Sequence, residues 1–275
     1  MGWYSRDVWL RGWLCLQDLQ KQYSPSRWSP KGEPEEVIKR HIDCVTAASR
    51  LAHSSLWYET SSYGDTDRQK FEVFAPETLP SDAPLFIYIH GGYWQVQTIS
   101  CEVSSFMAPT LVASGTAVVA IGYDLAPTVT MEEILSQVRV GVKKILQLAK
   151  KQHSRGVYLC GHSAGAHIAA MMLTVDWTQD DPAFQHLIKG AILLSGVYDL
   201  RPLIDTTVNE PLGMTKDSAW ENSPTNHVTE LCARCHDVDI LVVVGQYDSP
   251  EFHRQSQDFD QVFESLKATW SIRGF

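Results

Sequence analysis

Apolar and polar positions along this chain follow two periods, and the change from one to the other marks out its organisation. Residues 14–22 and 35–52 space their apolar positions at helical intervals, and Pro25, Pro30 and Pro34 break the stretch between them. This predicts a helical cover over residues 1–60. The pattern then tightens: Phe71-Glu72-Val73-Phe74 and the unbroken run Leu85–Ile89 read as strands, the second buried on both faces. Ala117–Ile121 is a further strand, and residues 131–150 return to helical spacing. The same alternation repeats in Val157–Cys160 with a helix from Ala164 to Val175, in Gly190–Ser195, and in Ile240–Gly245. Five or more buried strands alternating with helices predict one α/β domain over residues 1–275, with a mostly parallel sheet covered on both faces. Residues 199–237 are irregular and rich in Pro, Asn and Thr, which predicts loops and short helices forming a cap above the sheet.

Composition narrows the classes of function. The chain has 275 residues, 44% hydrophobic and 20% charged, as expected for a soluble globular fold with one large core. A formal charge of −9 with no Lys/Arg-rich block argues against nucleic acid as a partner and against a basic membrane-surface patch. Four tryptophans fall in the first 30 residues, but Arg6, Asp7, Arg11 and Asp18 break any apolar run, so neither a signal peptide nor a spanning helix is expected. Arg6 occupies the position where N-myristoylation needs Ser or Thr. The six cysteines are then expected as reduced thiols in a cytoplasmic or nuclear protein. Cys232-Ala233-Arg234-Cys235-His236 has the spacing of a haem or zinc motif, but it lacks the second ligand pair zinc needs, so no metal is expected there.

The chemistry gathers at strand ends. Gly161-His162-Ser163-Ala164-Gly165 is a G-x-S-x-G sequence between a strand and a helix, the arrangement of a nucleophile elbow. Its glycines allow the tight turn that projects the Ser163 hydroxyl. His90-Gly91-Gly92-Tyr93-Trp94 closes the Leu85–Ile89 strand; its glycine N–H groups and that of Ala164 are the expected oxyanion donors. His90 reads as a hydrogen-bonding residue of that loop, with Tyr93 and Trp94 as pocket or core residues. Asp248 ends the Leu241–Val244 run at the sheet edge where α/β proteins carry their sites. It can orient a catalytic histidine, or it can cap the helix begun by Ser249-Pro250-Glu251. Asp199 is the alternative acid. His162 is expected to point away from the elbow, and His167 to pack one helical turn on.

Taken together, His90–Trp94, Gly161–His167 and Val244–Ser256 resemble kynurenine formamidase, also called arylformamidase, of the hormone-sensitive-lipase-like α/β hydrolases. The likeness runs from about Gln22 to about Ser256. It implies an α/β-hydrolase fold and hydrolysis of an aryl formamide such as N-formylkynurenine in tryptophan catabolism. It implies Ser163 as nucleophile, Asp248 as acid, an oxyanion hole from Gly91, Gly92 and Ala164, and no cofactor. A broader carboxylesterase is the second reading. The family's catalytic histidine lies beyond the acid in an Asp-His-Phe-like segment, after a further strand, and no residue here matches it. The C-terminal strand and helix are therefore expected to be truncated, which leaves the Leu241–Val244 strand as an apolar edge, stability marginal and a homodimer open. His253 is the base candidate the chain offers, and a non-catalytic, hydrolase-like protein is the third reading.

Overall fold

The computed structural model describes residues 16–273, and side chains as far as residue 265. After a short helix over residues 16–22 and a 3₁₀ turn at Pro25–Trp28, helix α1 runs Pro34–Ser55, opened by a proline at its first turn. The part of the expected cover in residues 1–15 lies outside the described residues.

Seven strands form one sheet in the order β1-β2-β4-β3-β5-β6-β7: Glu59–Ser62, Lys70–Phe74, Leu85–Ile89, Ala117–Ile121, Val157–His162, Ile188–Leu194 and Asp239–Val243 in chain order. The first two strands run antiparallel to their neighbours and the remaining pairs are parallel. Strand β1 was not visible in the pattern, because its Glu-Thr-Ser-Ser sequence has no apolar alternation.

In β4, successive side chains enter two different cores, as the period of a strand requires. Val119 and Ile121 join the large cluster on one face, while Val118 meets Phe74, Ala52, Ala108 and Val112 on the other. The large cluster is built around helices α2, Met131–Lys151, and α3, Ala164–Leu173. Helix α2 begins with a capping box between Thr130 and Glu133, and buries Met131, Ile134, Val138, Val142, Ile145 and Ala149 at helical spacing.

Residues 199–237 hold short helices between Arg201 and Arg234. Strand β7 is the outer strand, the apolar edge expected of the Leu241–Val244 run: Ile240 and Val242 turn toward the core while Leu241 is 56% exposed. Helix α4, Pro250–Arg273, follows it and packs Phe252, Phe259 and Phe263 into the main core. Cys232 and Cys235 are buried there too, their thiols directed at the carbonyls of Phe263 and Leu173.

Candidate active site

The carboxyl ends of β3, β5, β6 and β7 converge at one edge of the sheet. Register carries the functional loops with them: Ile89 pairs with Gly161, so His90-Gly91 and His162-Ser163 leave the sheet side by side. Ser163 has φ 55° and ψ −118°, a conformation an L-residue holds only when its surroundings over-determine it. Those surroundings are backbone. A Cβ on Gly165 would lie 2.0 Å from the Ile89 carbonyl oxygen, and one on Gly161 would lie 2.1 Å from that of Gly165. Strand and helix thus cross with no room for side chains, and the serine is driven out at the N-terminus of α3, where Ala164 is the first helical residue.

The facing loop is pressed onto this elbow. A Cβ on Gly91 would meet the His162 carbonyl oxygen at 2.6 Å and Ser163 Cβ at 3.3 Å. Gly92, Tyr93 and Trp94 all have positive φ, a left-handed turn closed by N–H bonds from Gln95 and Val96 to the Gly92 carbonyl, at 3.0 and 2.9 Å. The backbone of this loop therefore approaches Ser163 closely enough for its N–H groups to face the same space. His90 is buried, stacked on Tyr123 with ring centroids 4.2 Å apart, and its Nδ1 lies 2.9 Å from the Gly91 carbonyl, which sets Nδ1 as the donor. Burial lowers its pKa to about 4, so it is a neutral brace of the loop. Tyr93 lines the cavity and donates its hydroxyl to the Tyr23 carbonyl at 2.7 Å. Trp94 is fully buried, its ring set at 90° to that of His167 at 5.1 Å; it belongs to the core. His167 places Nε2 2.7 Å from the Asn222 carbonyl, and burial brings its pKa to about 4.

Asp248 sits in the turn after β7. Its Oδ2 accepts the Ser195 hydroxyl at 2.5 Å and the Gly245 N–H at 2.8 Å. Ser195, after β6 and itself at φ 48°, was not singled out by any motif; only the adjacency of β6 and β7 brings it to the acid. The helix-capping alternative for Asp248 does not hold: Ser249 Oγ takes the Phe252 N–H at 3.3 Å. Asp199, the alternative acid, is engaged by Arg201 through two side-chain N–H bonds of 3.0 and 2.7 Å. His253 lies on the first turn of α4, its N–H bound to the Ser249 carbonyl, and is not part of the wall around Ser163.

A cavity of about 480 Å³ opens in front of Ser163. Its floor is Tyr88, His90 and the Gly91-Gly92 loop, and its roof is the N-terminal cover, including Tyr23, Ser24, Ser26, Val37, Ile38 and His41. Tyr23 is pinned by a 2.7 Å bond from Gln255 Nε2 to its hydroxyl. Here the expectation for His162 fails. Its ring does not point away from the elbow but lines the same cavity, with Nδ1 3.4 Å from where a Gly91 Cβ would sit and the His41 ring 6.0 Å away. Burial lowers the His162 pKa, His41 adds to this and the charge of Asp248 opposes it. The patterning gave a helical cover but neither its place over this cavity nor the His41–His162 pair, although Gln22–Trp28 stood inside the stretch that carried the family resemblance.

Comparison with known proteins shows the fold and the family. A family profile described as alpha/beta hydrolase fold matches residues 86–243. A kynurenine formamidase from Danio rerio is 45% identical over 92% of this chain and 84% of its own length. One from Drosophila melanogaster is 29% identical over 93% of this chain and 88% of its own. Among solved structures, a candidate thioesterase from Silicibacter sp. superposes with TM-score 0.74 at 28% identity, covering 90% of this chain and 87% of its own.

Proposed function

The chain belongs to the kynurenine formamidase family of α/β hydrolases, and from that premise we propose that it is a serine hydrolase that cleaves the formamide of N-formyl-L-kynurenine to L-kynurenine and formate. The observation that carries this reading is the strained Ser163 elbow facing the Gly91 backbone inside an apolar cavity. Ser163 Oγ attacks the formyl carbon, and its proton passes to a base, the role the family resemblance gives to a histidine that no residue of this sequence matches. The N–H groups of Gly91, Gly92 and Ala164 hold the developing oxyanion. The C–N bond then breaks as the base returns the proton to the aniline nitrogen, leaving a formyl-serine. Water attacks that ester through the same base and releases formate. Since a formyl group is very small, the cavity serves the aryl leaving group, with Tyr93 in its wall.

A second reading rests on one specific observation. Asp248 spends its described hydrogen bonds on Ser195 and Gly245, and no imidazole is among its partners. On that reading the chain binds its ligands without turning them over. Incubation with a fluorophosphonate, with mass mapping of the adduct, separates the two. The catalytic reading requires modification of Ser163, lost in Ser163→Ala, together with release of formate from N-formylkynurenine at a higher kcat/KM than short acyl esters give. An intact chain that is neither labelled nor turns over substrate supports the binding reading, and preference for the esters supports a carboxylesterase.

A further inference from the structure

Resting on the formamidase reading, the cavity raises a question of charge. One end of the substrate is an uncharged formamide and the other an α-amino acid whose carboxylate is ionised at neutral pH. Enclosing a carboxylate among apolar side chains is costly unless a donor or cation meets it. Among the described residues, no Asp, Glu, Lys or Arg lines this cavity. Its walls hold three imidazoles, on His41, His90 and His162. His90 is closed off behind the oxyanion loop, with Nδ1 committed to Gly91. His162 is beside the nucleophile, at the end of the cavity that the formyl group must occupy.

We propose that His41 is the specificity residue that binds the anionic end of the substrate. It stands on α1 at the mouth, exposed to solvent, next to the 49%-exposed Ile38, in a cavity wall that also holds Ser24 and Ser26. Its ring lies 6.0 Å from that of His162, the residue before Ser163, so the mouth and the nucleophile are one side-chain layer apart. An aryl group therefore spans from Ser163 to His41 with its amino-acid end at the rim. There the imidazole donates one N–H when neutral and two when protonated, while the Ser24 hydroxyl is already donated to the Gln20 carbonyl at 2.7 Å. The other charges of this part of α1 are occupied elsewhere: Lys39 pairs with Asp43 at 2.5 Å, and Arg40 donates to the Lys31 carbonyl at 3.4 Å. His41 thus selects aryl ligands that carry a carboxylate about one amino-acid side chain from the reacting nitrogen.

Equilibrium binding tests this without relying on turnover. L-kynurenine and its decarboxylated analogue differ only in the carboxylate, and both can be titrated by fluorescence against the full chain. The wild type is expected to prefer L-kynurenine. His41→Gln, a neutral change at an exposed helical position, is expected to weaken L-kynurenine about tenfold, leave the analogue unchanged and so abolish the preference; His41→Lys is expected to restore it. Equal weakening of both ligands, an unchanged preference, or no binding of either to the wild type would each overturn the assignment. A wild type that shows the preference but is neither labelled at Ser163 nor active would instead remove the catalytic reading and leave the carboxylate site standing.

Discussion

At the scale of single residues, the site is made by the absence of side chains as much as by their presence. Gly91 is the clearest case, since a methyl group there would stand 2.6 Å from the His162 carbonyl oxygen and push the loop away from Ser163. Gly91→Ala is therefore expected to slow fluorophosphonate labelling of Ser163 by on the order of 10²-fold, the scale of a lost oxyanion donor. Comparing labelling rates in two proteins with matching far-UV circular dichroism checks this; an unchanged rate would remove Gly91 from the oxyanion hole. The Gly-His-Ser-Ala-Gly motif announced the Ser163 elbow because the turn it must make is local. Ser195 carried no such signal. A serine after a strand is unremarkable until β7 places Asp248 at 2.5 Å from its hydroxyl.

At the scale of elements, strands and helices follow from periodicity wherever a face is buried. Leu85–Ile89 and Ala117–Ile121 were delimited to the residue because both strands are central and wholly apolar. Strand β1 was missed for the opposite reason: it is an outer strand whose hydrogen bonds to β2 hold four polar residues. Helix α2 shows a pattern and a cap acting together. Thr130 Oγ1 accepts the Glu133 N–H at 3.3 Å while Glu133 accepts the Thr130 N–H at 2.7 Å. Thr130→Ala is expected to lower unfolding free energy by about 1 kcal/mol. Urea denaturation would show this as a shifted midpoint at constant slope. A variant as stable as the wild type would mean the cap is not limiting.

At the scale of the whole molecule, the buried histidines tie stability to pH. His90 and His167 have folded pKa values of about 4, against the ordinary 6.5 of an exposed imidazole. Between those limits the unfolded chain binds protons that the folded chain refuses, so stability falls as pH drops from 6.5 to about 4 and these two groups add no further loss below that. The combined effect is on the order of a few kcal/mol. Urea unfolding measured between pH 7 and pH 4 should show the decline, and His167→Gln should flatten it; a pH-independent midpoint would contradict the assignment. By itself the sequence determined the α/β order, the Ser163 elbow, the glycine loop and the place of Asp248 just after β7, because each is written in contiguous residues whose period or backbone demand is local. Only the tertiary structure decided that His162 turns into the cavity, that Tyr23 and His41 roof it, that Trp94 belongs to the core and that Leu241 faces outward. Those outcomes depend on which distant segments the sheet brings together, and no spacing along the chain encodes the direction in which a side chain meets a partner from elsewhere in the fold.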